Sequence, residues 1–427
     1  MEILIYVPKI TPRINYTFRQ LCVRILGFDI RFTNKIETFI GHKGIKFSYA
    51  NQRLGNEVYI QSFGLLEEQG VNDIEISVSE WEEQPYFFKT SKQSDIPYDI
   101  FAASFYLMTR YEEYLPHVKN ENGDFPATES LGYKNNFLTK PIINIWMLRF
   151  VEVLHNKFES LEPIMPNKKL QVNIAVKKAF KYRKLGISRS FVGFTSDLLR
   201  FKLKEVFLRI KTWFKPEIDP YNVYDELVRF KTKNNFGMDF MFQLGDYSLY
   251  TKNINFRKRV YKKLIKSMGD YCEIGLLPSF EAISDAEQLR KEIKRFEHIA
   301  NHELKSIMIK DRSINFPEFY IGLDKTDIVK DFSMGYYDHL GFRAGTCTPF
   351  LFYDLNLEQA SPIEIRPYFM SSKGFKYSDE AELNKILENN KSIDISYVFL
   401  FDNADFKEGQ YKERIFALLK NLSNVSR

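Results

Sequence analysis

Leu170-Gln171-Val172-Asn173-Ile174-Ala175-Val176 is apolar over most of its length, with three β-branched residues, and it opens the series of segments that sets the fold class. Runs of the same kind follow at residues 239–244, 271–277, 306–309 and 396–401. Short apolar runs of this length read as buried strands. Helical patterns fill the intervals. One begins at Ser284, where Ser-Asp-Ala-Glu forms a capping box and Leu289, Ile293 and Phe296 keep helical spacing. Strands that alternate with helices imply a mostly parallel sheet, either open or closed into a (β/α) barrel that is complete or incomplete.

Moving toward the N-terminus, Glu162-Pro163-Ile164-Met165-Pro166-Asn167-Lys168-Lys169 has two prolines and no periodicity, so it reads as a linker. A chain of 427 residues is too long for one hydrophobic core. The expected division is a smaller α/β or α+β domain over 1–162 followed by the α/β domain over 168–427. In the first domain Thr11-Pro12 is a helix start, an N-cap with proline at the first helical position. Residues 58–60 and 74–78 read as strands, residues 98–114 as one amphipathic helix, and residues 119–124 as a surface loop.

Bulk properties remove several function classes. The net charge of +6 is small for this length, and the excess Lys and Arg are dispersed among 39 Phe and 25 Tyr, so nucleic acid is not an expected partner. Cys22, Cys272 and Cys347 stand far apart without CxxC spacing, which indicates neither a disulfide framework nor a zinc cluster. The opening residues read as a strand rather than a signal peptide, and no stretch of 18 apolar residues occurs. The expected location is cytoplasmic.

Three strings speak to family. Gly341-Phe342-Arg343-Ala344-Gly345-Thr346-Cys347-Thr348-Pro349-Phe350, preceded by Asp331-Phe332-Ser333-Met334-Gly335-Tyr336, resembles the arginine motif of a bacterial branch of the polysaccharide deacetylases, the NodB-type carbohydrate esterases. Phe242-Gln243-Leu244-Gly245-Asp246-Tyr247 and Glu273-Ile274-Gly275-Leu276-Leu277-Pro278-Ser279 are similar to two further strand ends of that branch. Ile96-Pro97-Tyr98-Asp99-Ile100-Phe101 and Thr109-Arg110-Tyr111-Glu112-Glu113-Tyr114 resemble the domain that precedes the barrel in the same proteins. The resemblance implies a deacetylase-like (β/α) barrel over the second domain.

It also implies a divalent metal, a carboxylate base and an imidazole acid, and each can be sought at a position. Where the resemblance expects Asp-x-Asp, supplying base and ligand, the chain has Ala175, Val176 and Lys177. Alanine accepts no proton, and lysine puts a cation where a metal would sit. Leu277 stands where a histidine ligand is expected, and Lys310 where another is. The general-acid histidine is replaced by Asp402, whose ordinary pKa of about 3.9 leaves it ionised at neutral pH. No metal or other cofactor is therefore expected. The leading reading is a non-catalytic deacetylase homologue in surface-polysaccharide metabolism, binding a saccharide or supporting a polysaccharide-biosynthesis enzyme. The alternatives are a metal-independent hydrolase built on Asp402, Asp246 or Asp311, and a purely structural or interaction protein.

The candidate substrate-binding residues are Arg343, Lys177, Asp246, Tyr247, Asp402 and His339. With an aspartate lost at Ala175, and Lys177 and Lys310 gained beside Arg343, an acidic saccharide or sugar phosphate is the expected guest. Arg343, without its expected carboxylate, must find another acceptor, with Asp402, Asp246, Asp311 or an anion as candidates. His298 and His302 have zinc-compatible spacing but sit on a highly charged helix and read as a solvated face. Residues 197–215 form a basic amphipathic stretch that suits either peripheral membrane contact or a lid beside the first strand.

Overall fold

The computed structural model describes residues 2–121, 123–161, 169–184, 187–311, 314, 316–391, 393 and 395–425. The linker read at 162–169 lies outside them except for Lys169. The chain forms two compact units, Met1–Lys168 with Asp311–Tyr397, and Lys169–Lys310 with Val398–Arg427. Residues 311–397, expected to continue the second domain, thus pack with the first unit. No local signal marks this return, because it is made by long-range contacts, among them the Phe342 amide donating to the Leu138 carbonyl at 2.8 Å.

The first unit holds a four-stranded parallel sheet in the order Asp29–Thr33, Glu2–Tyr6, Lys46–Ala50 and Val58–Gln61. Helix Pro12–Phe18 starts as read, with Thr11 Oγ1 accepting from the Ile14 amide at 3.1 Å. The amphipathic helix expected over 98–114 is shorter. Helix Ile100–Met108 is capped by Asp99 and buried at every residue, and Arg110 then takes a left-handed backbone (φ 54°) before a single turn at Tyr111–Tyr114. An all-round buried helix has no polar face whose length could be read. Residues 74–78 are irregular; the strand begins at Ser79–Trp81, in a two-stranded antiparallel ribbon with Gln84–Tyr86. The C-terminal part of this unit contributes a hairpin, Phe350–Asp354 with Gln359–Ile365, and Lys330–Asp331 runs parallel to the latter.

In the second unit the strands lie in the order Ser306–Ile307, Ile274–Leu276, Gly237–Phe242, Leu170–Val176 and Tyr397–Asp402. The first four are mutually parallel, with Val176 opposite Phe242 and Phe242 opposite Leu276. Leu170–Val176 has the expected bounds, and each of the others coincides with an expected run, shortened or shifted by a few residues. Val172, Ile174, Ala175 and Val176 are buried without the in-out alternation of a half-solvated strand. This suits a parallel sheet covered on both faces. Gly275 lets two strands close up, since a Cβ there would lie 2.6 Å from the Ser306 carbonyl oxygen. The helix expected from Ser284 is capped one residue later, by Asp285, and spans Ala286–Ala300 with Leu289 and Phe296 buried.

Candidate functional site

Parallel strands place their C-terminal ends on one edge of the sheet, where an α/β protein assembles its ligand sites. Lys177 follows the strand Leu170–Val176, Lys310 lies three residues beyond Ser306–Ile307, and Asp402 ends Tyr397–Asp402. These three meet. Lys310 Nζ donates to Asp402 Oδ2 at 2.7 Å, and Lys177 Nζ lies 3.6 Å from Oδ1. The Lys310 side chain is buried, whereas about a third of the Lys177 side chain reaches solvent. Asp402 also opens a short 3-10 turn over Asn403–Phe406 in a capping box, its own amide donating to Asp405 Oδ2 at 2.7 Å.

The electrostatics are opposed. Burial pushes the Asp402 carboxyl up, but the ammonium groups of Lys310 and Lys177 outweigh it and hold the group below the usual carboxylate range. Burial, aided by the charge of Lys310, brings the Lys177 ammonium down to about 8, against the pull of Asp402 and Asp405. Behind the cluster Asn403 Nδ2 donates to the Lys178 carbonyl at 2.9 Å, and Tyr224 and Asn253 bind the Ala179 carbonyl and amide at 2.8 and 3.0 Å. The turn that carries Lys177 is therefore held by three buried polar side chains. None was a candidate from sequence, because each acts across dozens of residues on backbone atoms.

Most of the remaining candidates lie elsewhere. Ala175 and Leu277 are buried apolar side chains. Asp246 pairs with Arg295 at 2.7 Å on an exposed flank, and Tyr247 is also exposed. Asp311, the residue after Lys310, has a left-handed backbone (φ 70°) and begins the segment that packs with the first unit. His298 is exposed, and His302 Nδ1 approaches the Glu303 carbonyl at 2.9 Å. Among the described residues no group of three or more His, Cys, Asp or Glu side chains could hold a metal ion.

Arg343 corrects the expectation of a substrate-binding arginine. It is fully buried in the first unit and makes a fork with Glu113, Nε to Oε1 at 2.8 Å and Nη2 to Oε2 at 2.6 Å. Arg110 donates to the same Glu113 at 2.7 Å, pairs with Glu112 at 2.7 Å, and binds the Arg343 carbonyl. The acceptor is thus none of those expected. Burial raises the Glu113 carboxyl, yet the two guanidinium groups prevail and lower it. His339, the other candidate of this unit, is half-buried, with Nδ1 2.9 Å from Asp338 Oδ1, and lines a groove of 490 Å³ with Tyr133 and Glu382.

Comparison with known proteins gives limited likeness. Residues 3–159 match the model of a family of unknown function, DUF7033. No curated protein matches the chain. Among solved structures, a Mycobacterium smegmatis protein described as a polysaccharide deacetylase is similar at 12% identity and a TM-score of 0.35, over 60% of this chain and 85% of that one. A 4-alpha-glucanotransferase from Thermococcus litoralis is similar at 14% identity and a TM-score of 0.35, over 61% of this chain, which spans only 38% of the length of that enzyme.

Proposed function

We propose that the second unit is a distant deacetylase-like (β/α) domain that binds an acidic saccharide or sugar phosphate in surface-polysaccharide metabolism without hydrolysing it. The observation that carries this reading is the strand-end cluster, in which Lys310 and Lys177 grip Asp402 at 2.7 and 3.6 Å. The metal implied by the resemblance does not fit these residues: Ala175 and Leu277 offer no donor, and the Lys310 ammonium already sits on Asp402. Asp402 is equally ill-suited as a general acid. A carboxyl held below its ordinary range keeps no proton to give at neutral pH.

Binding is what the cluster favours. Lys177 carries an ammonium that burial and Lys310 make costly, so an anion placed against it relieves the cost and restores its proton. The exposed part of its side chain gives that anion access. A phosphate or uronate also matches the point-charge donor that lysine supplies.

Calorimetric titration with glucuronic acid and glucose 1-phosphate, set beside Lys177→Ala, tests the proposal. Binding should be measurable in the natural protein and weakened at least about tenfold in the variant, a loss of roughly 1.4 kcal/mol. Release of acetate from acetylated sugars that disappears in Asp402→Asn would overturn it in favour of a hydrolase.

A further inference from the structure

Residues 197–215, read from sequence as one basic amphipathic stretch, lie in two helices, Ile187–Leu199 and Leu203–Phe214, joined by a short turn. The second helix is inverted. Its buried residues are Arg209 and Thr212, while Leu203, Phe207, Ile210 and Phe214 stand at helical spacing on the solvent side. Phe207 is 64% and Phe214 82% exposed, and Phe201 in the connecting turn is 86% exposed. Phe191, Val192, Leu198 and Leu199 extend the same character along the first helix. Large apolar side chains clustered in this way are rare on a monomer surface without a partner.

Polar contacts fix this orientation. Arg209 donates to Asp197 at 2.6 Å, tying the helices together, and lies 4.5 Å over the ring of Tyr182. Gly193 makes room for that guanidinium, which a Cβ would meet at 2.7 Å. Glu205 is taken up by Lys181 and Tyr182. Both acidic side chains between 197 and 215 are therefore spent on inward pairs. The charges left on the exposed surface of the same stretch are cations, Arg200, Lys202, Lys204, Lys211 and Lys215.

An outward apolar face bordered by cations complements one surface above others, the interface of a bilayer with anionic lipid headgroups. We infer that this helical hairpin seats the protein on an anionic membrane surface, with Phe201, Phe207 and Phe214 entering the headgroup and acyl boundary and the lysines meeting lipid phosphates. No helix among the described residues is long and apolar enough to cross a membrane, so the contact is peripheral. A second copy of the chain is the poorer occupant, because it would bring the same cations face to face.

Flotation with phosphatidylglycerol-containing vesicles tests the inference on the full chain. The natural protein should float with these vesicles, less so with pure phosphatidylcholine, and less as salt is raised. Phe207→Ser/Phe214→Ser should lower partitioning by about tenfold or more, and Lys202→Glu/Lys204→Glu should abolish the preference for anionic lipid. Because these side chains are exposed, the variants should melt as the natural protein does. Failure of the natural protein to float, or a stable dimer that the serine variant converts to monomer, would overturn the assignment.

Discussion

Two clusters of basic and acidic side chains, one in each unit, differ in what they leave undone. In the first unit Arg110 and Arg343 face Glu112 and Glu113, and no member has more than 10% of its side chain exposed. In the second, Lys177 and Lys310 share Asp402, and Lys177 keeps a path to solvent. The first set closes on itself with planar, directional forks. The second is built from point charges that tolerate a newcomer. The arginine of the 341–350 string is thus an architectural residue here, while the strand-end cluster is the one of the two that stays open to solvent.

Cutting the closed cluster should have the largest effect. Glu113→Gln leaves two buried guanidinium groups short of a counter-charge, and breaking a buried network of this kind costs about 3–5 kcal/mol. Urea unfolding should show the midpoint falling accordingly. A cost below about 1 kcal/mol would mean that water enters the network and that the contrast with the second unit is false.

Lys310→Met is the corresponding cut in the open cluster. Lys177 remains beside Asp402, which is 20% exposed, so the loss should be smaller, about 2 kcal/mol by the same measurement. The variant also removes a cation that holds Lys177 down. Competitive acylation of Lys177, followed by mass spectrometry across pH, should show its midpoint moving up. A midpoint that stays in place would assign the depression to burial alone.

The pH dependence separates folding from binding at the same side chain. Lys177 titrates at about 8 in the fold against an ordinary 10.5. Between those values the folded protein has released a proton that the unfolded chain retains. Its contribution to stability therefore increases as pH rises through the window. Anion binding should run the other way and fall as pH passes about 8, since the ammonium is lost. Thermal melts and calorimetric titrations over this range should slope in opposite directions, and both slopes should vanish in Lys177→Met. Parallel slopes would show that the lysine does not meet the ligand.

How much of this was legible depends on whether the signal was local. The run 170–176 could be read because five of its seven positions are apolar, as a strand covered on both faces requires. The Thr11-Pro12 start could be read because a cap acts over three residues. The helix expected over 98–114 spans only Ile100–Met108, and a segment buried all round carries no periodicity from which that length could be read. The strand ends holding Ala175, Lys177, Leu277, Lys310 and Asp402 were found through resemblance, and three of those residues do meet. The Arg343–Glu113 fork was missed because its partners stand 230 residues apart. The same separation hid the transfer of 311–397 to the first unit.

The smallest expected effect calibrates the others. Asp246 pairs with Arg295 at 2.7 Å, as short a contact as Lys310 with Asp402, but 64% of its side chain is exposed. Water competes for both partners of an exposed pair and salt screens them, so distance alone says little about its worth. Asp246→Ala should change the urea midpoint by less than the equivalent of about 0.5 kcal/mol and leave titration with glucose 1-phosphate unaltered. Arg295 does not depend on it for position, because its other branch donates to the Leu244 carbonyl at 3.0 Å. If this exposed pair cost as much as Lys310→Met, burial would not be what distinguishes the clusters. Were glucose 1-phosphate binding to weaken as well, the ligand would extend from the strand-end cluster onto this flank, and Asp246 would rejoin the site.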